Sequence, residues 1–419
     1  MAEDILNVDQ WQYKCEGNNN IIFTDEKSNF ILKVPKVSSR GGKRRGSEED
    51  RVLKESDFVN KSIQPLLEKS SVHYRLRLLQ LSDGIRRQLK DDLKKKQRQM
   101  ANTDFGLIMP NYRLNFFEGK SRDREALPVV SVELRPKSCY TPKHFGSKVA
   151  GGKNTCYFCM TRMYAGEKNN EAQTDYCPFD LFSGNRSRIK RALRHLIACP
   201  QRYFSLAIND DVIFSSDYCK GAKQDNLHYF NNLVQKRLKF TKSEHFIDLL
   251  SKALLLPVTS KDHGQAPKSS HCRFPDAKEP KSSNPEDSFS KSVLALINSV
   301  QLKRDVPLPE ILKLNDFENR PLDGGKEPLC CSQLTDYKIS RIFSCCSLIV
   351  SFQELRGGQG LPSQKESFIV SADGRKYKVL FALIDLYKDD SSEKVVEFCR
   401  REQSVVDFYL NHCYEAVCR

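Results

Sequence analysis

The nine residues Val129-Val130-Ser131-Val132-Glu133-Leu134-Arg135-Pro136-Lys137 constrain the fold more than any other stretch of the chain. Val129 to Val132 is β-forming by composition and reads as a buried strand, and Pro136, with no N–H to donate, ends its ladder. The charges therefore sit at a strand end. If the chain stays extended, Glu133, Arg135 and Lys137 point to one face. Two cations and one acceptor on one face suit a phosphate-bearing ligand that also offers a hydroxyl or amine; a solvated strand end is the plain alternative.

A chain of 419 residues with 39% hydrophobic residues and 24 Phe has enough apolar surface for two or three lobes with real cores. The formal charge of +15 points to anionic partners, among them nucleic acid, membrane surfaces and polyphosphorylated small molecules. The basic stretches lack the aromatic interleaving of an RNA module, so nucleic acid is not an expected partner. No stretch approaches a membrane span, and Met1-Ala2-Glu3-Asp4 is acidic with no apolar run behind basic residues, so no secretory signal is expected. Fifteen scattered cysteines, some adjacent (Cys330-Cys331, Cys345-Cys346), suit a reduced intracellular thiol set with one metal site better than a disulfide framework. Location is expected to be cytoplasmic, nuclear or both, and the protein a monomer.

Trp11 to Lys36 reads as a hairpin whose turn, Glu16-Gly17-Asn18-Asn19-Asn20, can present backbone N–H groups to a phosphate, with Lys33 on a following strand adding a point charge. A basic loop, Ser38 to Arg45, precedes a helix capped near Ser47, with Phe58, Ile63, Leu66 and Leu67 as its core contacts. A helix over 83–100 and a short strand ending at Pro110-Asn111 complete an α+β lobe over residues 1–112, and 109–111 would be its hinge. Beyond it, helices are expected over 186–196 (with Arg186, Arg188, Lys190, Arg191 and Arg194), 227–256, 292–302, from Pro307, and 392–414. Hairpins are expected through Asn209-Asp210-Asp211 and Ala372-Asp373-Gly374, and a strand over Arg341–Phe352. Residues 258–288, rich in Pro, Ser and Lys, read as a disordered insertion. Cys156 and Cys159 have the spacing to bite one zinc ion, and Cys177 with His144 completes a closed, structural set of four ligands; free thiols beside a surface histidine are the alternative.

These landmarks, in this order, resemble the inositol-pentakisphosphate 2-kinases, which phosphorylate the 2-hydroxyl of inositol 1,3,4,5,6-pentakisphosphate to the hexakisphosphate. Glu133-Leu134-Arg135-Pro136-Lys137 resembles the family's Glu-x-Lys-Pro-Lys signature, Tyr176 to Gly184 its Tyr-x-Pro-Leu-Asp-Leu-Phe-Ser-Gly segment, Ser347 to Gln353 its Ser-Ile-Met-Ile-Ser-Phe-Gln strand, and Ile384-Asp385-Leu386 its metal-binding Ile-Asp-Leu. The resemblance implies a two-lobed inositol-polyphosphate kinase fold of the α+β class, with a nucleotide-binding N-lobe (1–112) and a C-lobe (113–419) carrying an added inositide-binding region. It implies ATP contacts from Glu16, Gly17, Asn18, Asn19, Asn20, Lys33, Asn111 and Glu133. Arg135 and Lys137 would bridge transferring phosphate and inositide, Asp385 would hold magnesium, and Arg162, Arg202 and Lys388 would touch the inositide. Animal members of the family also carry CxxC and Tyr-Cys-Pro where His144, Cys156, Cys159 and Cys177 fall.

The chain departs from the pattern at five ligand positions. Arg135 replaces the signature's first lysine. Cys345 stands where the family has an aspartate for metal, and a thiol is a poor magnesium ligand. Met160-Thr161-Arg162-Met163-Tyr164-Ala165 lacks the histidine and lysine of the family's inositide contact, Arg202-Tyr203-Phe204-Ser205 replaces Asn-Asn-Phe-Arg, and Asp389 replaces a lysine. The reading is therefore a 2-kinase with an altered site; the alternative is a weak or inactive relative that binds inositol polyphosphate or a protein partner.

Overall fold

A computed structural model describes residues 11–17, 19–25, 29–37, 48–114, 127–142, 155–169, 174–219, 222–259, 289–304, 308–318, 331–355, 368–387, 392–412 and 418. Mixed helix and strand, with two sheets, make it α+β. The chain divides into two compact units, Met1–Glu68 with His73–Val129, and Lys69–Val72 with Val130–Arg419. Among the described residues, no helix is long and apolar enough to cross a membrane.

Unit 1 is built on an antiparallel sheet of β1 (Gln12–Glu16), β2 (Asn20–Thr24), β3 (Phe30–Pro35), β5 (Arg77–Gln80) and β6 (Phe105–Pro110), in the order β1-β2-β3-β6-β5. β4 is the two-residue strand Val72–His73. The period of two sends Ile21, Phe23, Leu32, Val34 and Ile108 into one core with Leu89 and Leu93 of the helix Asp83–Lys95. That helix starts where Ser82 caps it, its hydroxyl accepting from the Ile85 N–H. Gly106 is required by close packing: a Cβ there would sit 2.8 Å from Leu32 Cδ1 and 3.2 Å from the Lys33 carbonyl oxygen. The helix Glu48–Phe58 runs on through Leu67 and packs on β3, β5 and β6. Its fully buried stripe is Val52, Val59, Ile63 and Leu67, so of the expected contacts Phe58 and Leu66 are only half-buried.

Unit 2 holds the second sheet. Its main path is β11 (Phe368–Ala372), β12 (Arg375–Ile384), β10 (Ser347–Glu354), β7 (Val129–Leu134), β8 (Phe204–Ile208) and β9 (Asp211–Phe214), in that order. The nine-residue landmark thus supplies a central strand with neighbours on both sides, which is why Val132 and Leu134 are wholly buried. Its ladder ends as Pro136 requires, with a last bond from the Arg135 N–H to the Tyr203 carbonyl at 2.9 Å. Both hairpins form as two-residue turns with left-handed pairs, Asn209-Asp210 and Asp373-Gly374, the backbone that matches strand twist.

Two expected elements differ. Arg341 to Phe343 end the helix Cys331–Phe343, and the strand begins only at Ser347. Residues 227–256 are not one helix: Lys223–Leu238 stops at Lys239, in the left-handed conformation, and Ser243–Leu254 follows. A buried guanidinium, Arg304, pairs with buried Glu402 amid the rings of Tyr140, Tyr157, Tyr337 and Phe398, and the Tyr140 hydroxyl donates to the same carboxylate. This knot joins the segment after Lys137 to four helical elements. His144, Asn18, Lys388, Asp389, the basic loop 38–45 and most of the insertion (260–288) lie outside the described residues.

Candidate functional site

The candidate site in unit 2 lies where β7, β10 and β12 end. Ser347 opens β10 and pairs in register with Ile384, the last residue of β12, so the antiparallel ladder sets Ser347 beside Asp385. The Ser347 hydroxyl lies 3.4 Å from Asp385 Oδ2, and Arg135 Nε donates to the same hydroxyl at 3.0 Å. The Arg135 guanidinium is 3.4 Å from Glu133 and 3.6 Å from Asp385. One guanidinium therefore joins two carboxylates and a hydroxyl from three strands. Its side chain is about one-third exposed, at 35%, and that of Asp385 is 45% exposed, so both face solvent as well as each other.

Lys137 does not continue the strand. It has φ of 62° and Asp385 has φ of 59°, a left-handed backbone that costs a non-glycine residue about 1–3 kcal/mol unless the surroundings enforce it. At Lys137 the enforcement is visible. The Tyr176 hydroxyl donates to the Pro136 carbonyl at 2.6 Å, and buried Gln301 donates to the Lys137 carbonyl at 2.9 Å while accepting from the Cys139 N–H at 3.0 Å. The expectation of an extended Glu133-Arg135-Lys137 face thus holds for the first two and fails for Lys137. Its ammonium sits over the Tyr203 ring, 4.5 Å from the centroid.

Beside this group Cys346 is buried and its thiol is pushed up by burial, then by Cys345 and Asp385; it is no magnesium ligand. Oxygen donors are present: the Asp385 carboxylate, the Ser347 hydroxyl and the Glu133 carboxylate fit a hard divalent cation. Arg202 is exposed on the turn before β8, next to Tyr203. Arg162 donates to the Thr174 carbonyl instead, which ties it to the stretch leading to Cys177.

A second cluster is formed by thiols. Cys156, Cys159, Cys177 and Cys418 bring four sulfurs within 4.8 Å of one another, the first three buried. The Cys159 N–H donates to Cys156 Sγ at 3.4 Å and the Cys156 N–H to Cys418 Sγ at 3.2 Å, the backbone support that thiolate ligands need. Burial pushes the Cys156 thiol up, whereas hydrogen bonds from Cys156 and Cys159 hold Cys177 well below the usual thiol range. The set fits a tetrahedral thiophilic cation such as zinc. Sequence reasoning brought three of these thiols together and missed Cys418, which is remote in sequence and outside any CxxC pair.

The five cations of the helix Arg186–Ala198 are matched to carboxylates. Asp180 accepts from Arg188 at 2.9 Å and from Arg191 at 2.9 and 2.6 Å, Arg194 makes a two-pronged pair with Glu244, and Arg186 and Lys190 share Asp248. The cationic helix is thus a docked structural element.

In unit 1, the glycine turn is closed by the Gly17 N–H donating to the Asn20 carbonyl at 2.8 Å. Glu16 pairs with Lys36 at 3.1 Å and Arg98 at 3.3 Å, so this carboxylate carries its own counter-ions. Arg51, from the first helix, donates to the Asn19 carbonyl at 2.9 Å and to the Asn20 side chain at 3.2 Å, a guanidinium at the turn that sequence reasoning did not find. Lys33 lies half-buried on the middle strand, off the face that carries Leu32 and Val34. Buried Asn111 holds its own turn, its side-chain oxygen accepting from the Arg113 N–H and its N–H donating to the Asn29 carbonyl.

Comparison with known proteins extends these observations. Relatives in Danio rerio and in rice, both called inositol-pentakisphosphate 2-kinase, are 26% identical over 56% of this chain and 50% of theirs, and 24% identical over 74% and 66%. One of the same name in Arabidopsis thaliana is 23% identical over 72% of this chain and 65% of its own. The chain spans between half and two thirds of the length of these relatives. The family described as inositol-pentakisphosphate 2-kinase matches residues 13–404, nearly the whole of the 419. The chain belongs to the inositol-pentakisphosphate 2-kinase family.

Proposed function

We propose that this chain transfers the terminal phosphoryl group of ATP to the 2-hydroxyl of inositol 1,3,4,5,6-pentakisphosphate. The observation that carries the reading is the Glu133–Arg135–Ser347–Asp385 constellation, held on three strand ends beside Lys137. Phosphoryl transfer asks for positioning and charge neutralisation more than for covalent chemistry, and this group supplies both. Arg135 presents guanidinium N–H groups to phosphate oxygens while its Nε stays on Ser347, and Lys137 adds a compact ammonium. Asp385 and Ser347 would hold magnesium, which when bound neutralises charge on the phosphates. Glu16, Gly17, Asn18, Asn19, Asn20, Lys33, Asn111 and Glu133 remain the proposed nucleotide contacts, with Arg51 added. Arg202 and Lys388 remain proposed inositide contacts, and Arg162 is proposed to act from its seat on Thr174. The four thiols would hold a structural zinc ion, with Cys418 as fourth ligand.

The test is to incubate the purified full chain with ATP, magnesium and inositol pentakisphosphate and look for the hexakisphosphate. Product formation that disappears in Asp385→Asn supports the reading. Inositide binding without turnover would replace it with a non-catalytic binder, and absence of both would end it. Elemental analysis of the same sample is expected to give about one zinc per chain, lost in Cys156→Ser.

A further inference from the structure

We infer that Phe158, Tyr176 and Tyr203 are positioning residues that couple the four-thiol cluster to Lys137. The inference rests on the proposed role of Lys137 in handling phosphate, but its geometry stands apart from that reading. Two of the three aromatic residues are built into the cluster. Phe158 lies between Cys156 and Cys159 at the start of the helix Tyr157–Asn169, and Tyr176 immediately precedes Cys177. Whatever fixes the sulfurs fixes these rings.

From there the contacts run directly to the strand end. The Phe158 ring meets Tyr176 edge-on, with centroids 5.6 Å apart, and meets Tyr203 likewise at 5.8 Å. Tyr176 is fully buried, and its hydroxyl fixes the Pro136 carbonyl, so the backbone entering the left-handed Lys137 is held from the cluster side. Tyr203 holds the other two handles: its carbonyl accepts the Arg135 N–H, and its ring carries the Lys137 ammonium. Main chain and side chain of 135–137 are therefore both positioned by groups that lean on residues adjacent to cluster ligands. A closed cluster sets the spacing between the CxxC turn and the 176–177 segment. Opening it releases Phe158 and Tyr176 together, and with them the seat of Lys137. A cation–π contact depends steeply on position, so a small ring displacement changes the exposure of the ammonium.

The experiment measures the acylation rate of the Lys137 amine in the full-length chain by peptide mass spectrometry, with exposed Lys376 as internal reference and zinc content determined in parallel. Removing zinc with a chelator is expected to raise Lys137 reactivity about fivefold relative to Lys376, and Phe158→Leu to do the same in zinc-loaded protein at unchanged zinc content. Stripping the Phe158→Leu variant should then add less than it adds to wild type, because only the Tyr176 route remains. Should stripping damage the fold, Cys418→Ser, which removes the half-buried thiol alone, provides the open cluster, with circular dichroism to show an intact chain. An unchanged Lys137 rate on opening the cluster overturns the inference, as does an equal further rise in Phe158→Leu, or a wild-type chain that takes up no zinc. Calorimetry with inositol hexakisphosphate separates the two readings. A wild-type chain that binds no inositide refutes the proposed function, while the acylation rates still decide the coupling.

Discussion

Two cationic regions of unit 2 look alike in the sequence and differ in the fold. On the helix Arg186–Ala198 every one of the five cations meets a carboxylate, and the pairs made by Asp180 and Glu244 run from 2.6 to 2.9 Å. At the end of β7, one guanidinium is shared among Glu133, Ser347 and Asp385 at 3.0–3.6 Å, and its neighbours Lys137 and Asp385 sit on left-handed backbone. The first set is made of close pairs; the second is one guanidinium shared over longer distances and partly exposed, beside two left-handed residues. Charge that the fold has already neutralised anchors helices. Charge held at longer range and partly open to solvent is what the proposed transfer site would turn toward a phosphate.

The sharpest way to break this contrast is Asp385→Asn. If the β7 end is the transfer site, kcat falls by about a thousandfold or more, of the order seen when a transition-state charge partner is removed. Melting temperature should stay within about 2 °C, because the side chain is 45% exposed and its loss also removes a strained residue's charge without opening a cavity. Unchanged turnover would move the metal site elsewhere.

The converse substitution is Asp180→Asn. Its side chain is only 4% exposed and serves two arginines, so an amide leaves partly buried guanidinium charge behind. A loss of about 2–4 kcal/mol in denaturant unfolding is expected, below the full cost of a buried pair because Arg191 is 44% exposed. If the β7 end is the transfer site, the folded variant should keep the wild-type kcat. A kinetic defect without a stability defect would show that the cationic helix belongs to the site after all.

The contrast also explains what could be read from the residues. The strand over 129–134 and both hairpins follow from composition and turn chemistry, which are local. Asp180 and Gly184 belong to a segment matched by resemblance, and their roles turn out to be structural: Gly184 has φ of 73°, and a Cβ there would lie 3.0 Å from Phe289. The strand expected over Arg341–Phe352 starts only at Ser347 because Ile342-Phe343, the end of a helix, runs into the apolar strand with no glycine or proline between, and composition alone has nothing to mark the change. The contacts made by Ser347, Tyr203, Gln301 and Cys418 are not legible in the sequence for another reason. Each acts on a partner tens to hundreds of residues away, and only sheet register or helix docking brings it there.

Arg135→Lys sharpens the comparison at one of the five positions where the sequence reading expects a departure from the family pattern. A lysine keeps one charge but cannot hold Ser347 through Nε while offering two further N–H groups to phosphate. About a tenfold fall in kcat/KM is expected, carried mainly by KM for the inositide, with KM for ATP unchanged. An improvement would mean that arginine is what weakens this site.

The smallest expected effect lies on the matched side and is read by acid. Burial raises the Asp248 carboxyl, but hydrogen bonds from Lys190 and Lys252 and the charge of Arg186 outweigh it and bring it down to about 2. A carboxyl depressed in the folded state contributes stability above its unfolded value, near 4, and that contribution is lost as the pH falls toward about 2. Asp248→Asn should therefore melt below wild type by a constant few degrees from pH 7 down to about 4, with the gap closing by about pH 2; the pairs are partly solvated, so the effect stays near 1 kcal/mol. A gap that persists to pH 2 would mean that Asp248 acts through packing and not through its charge, and the cationic helix would then be anchored by Asp180 and Glu244 alone.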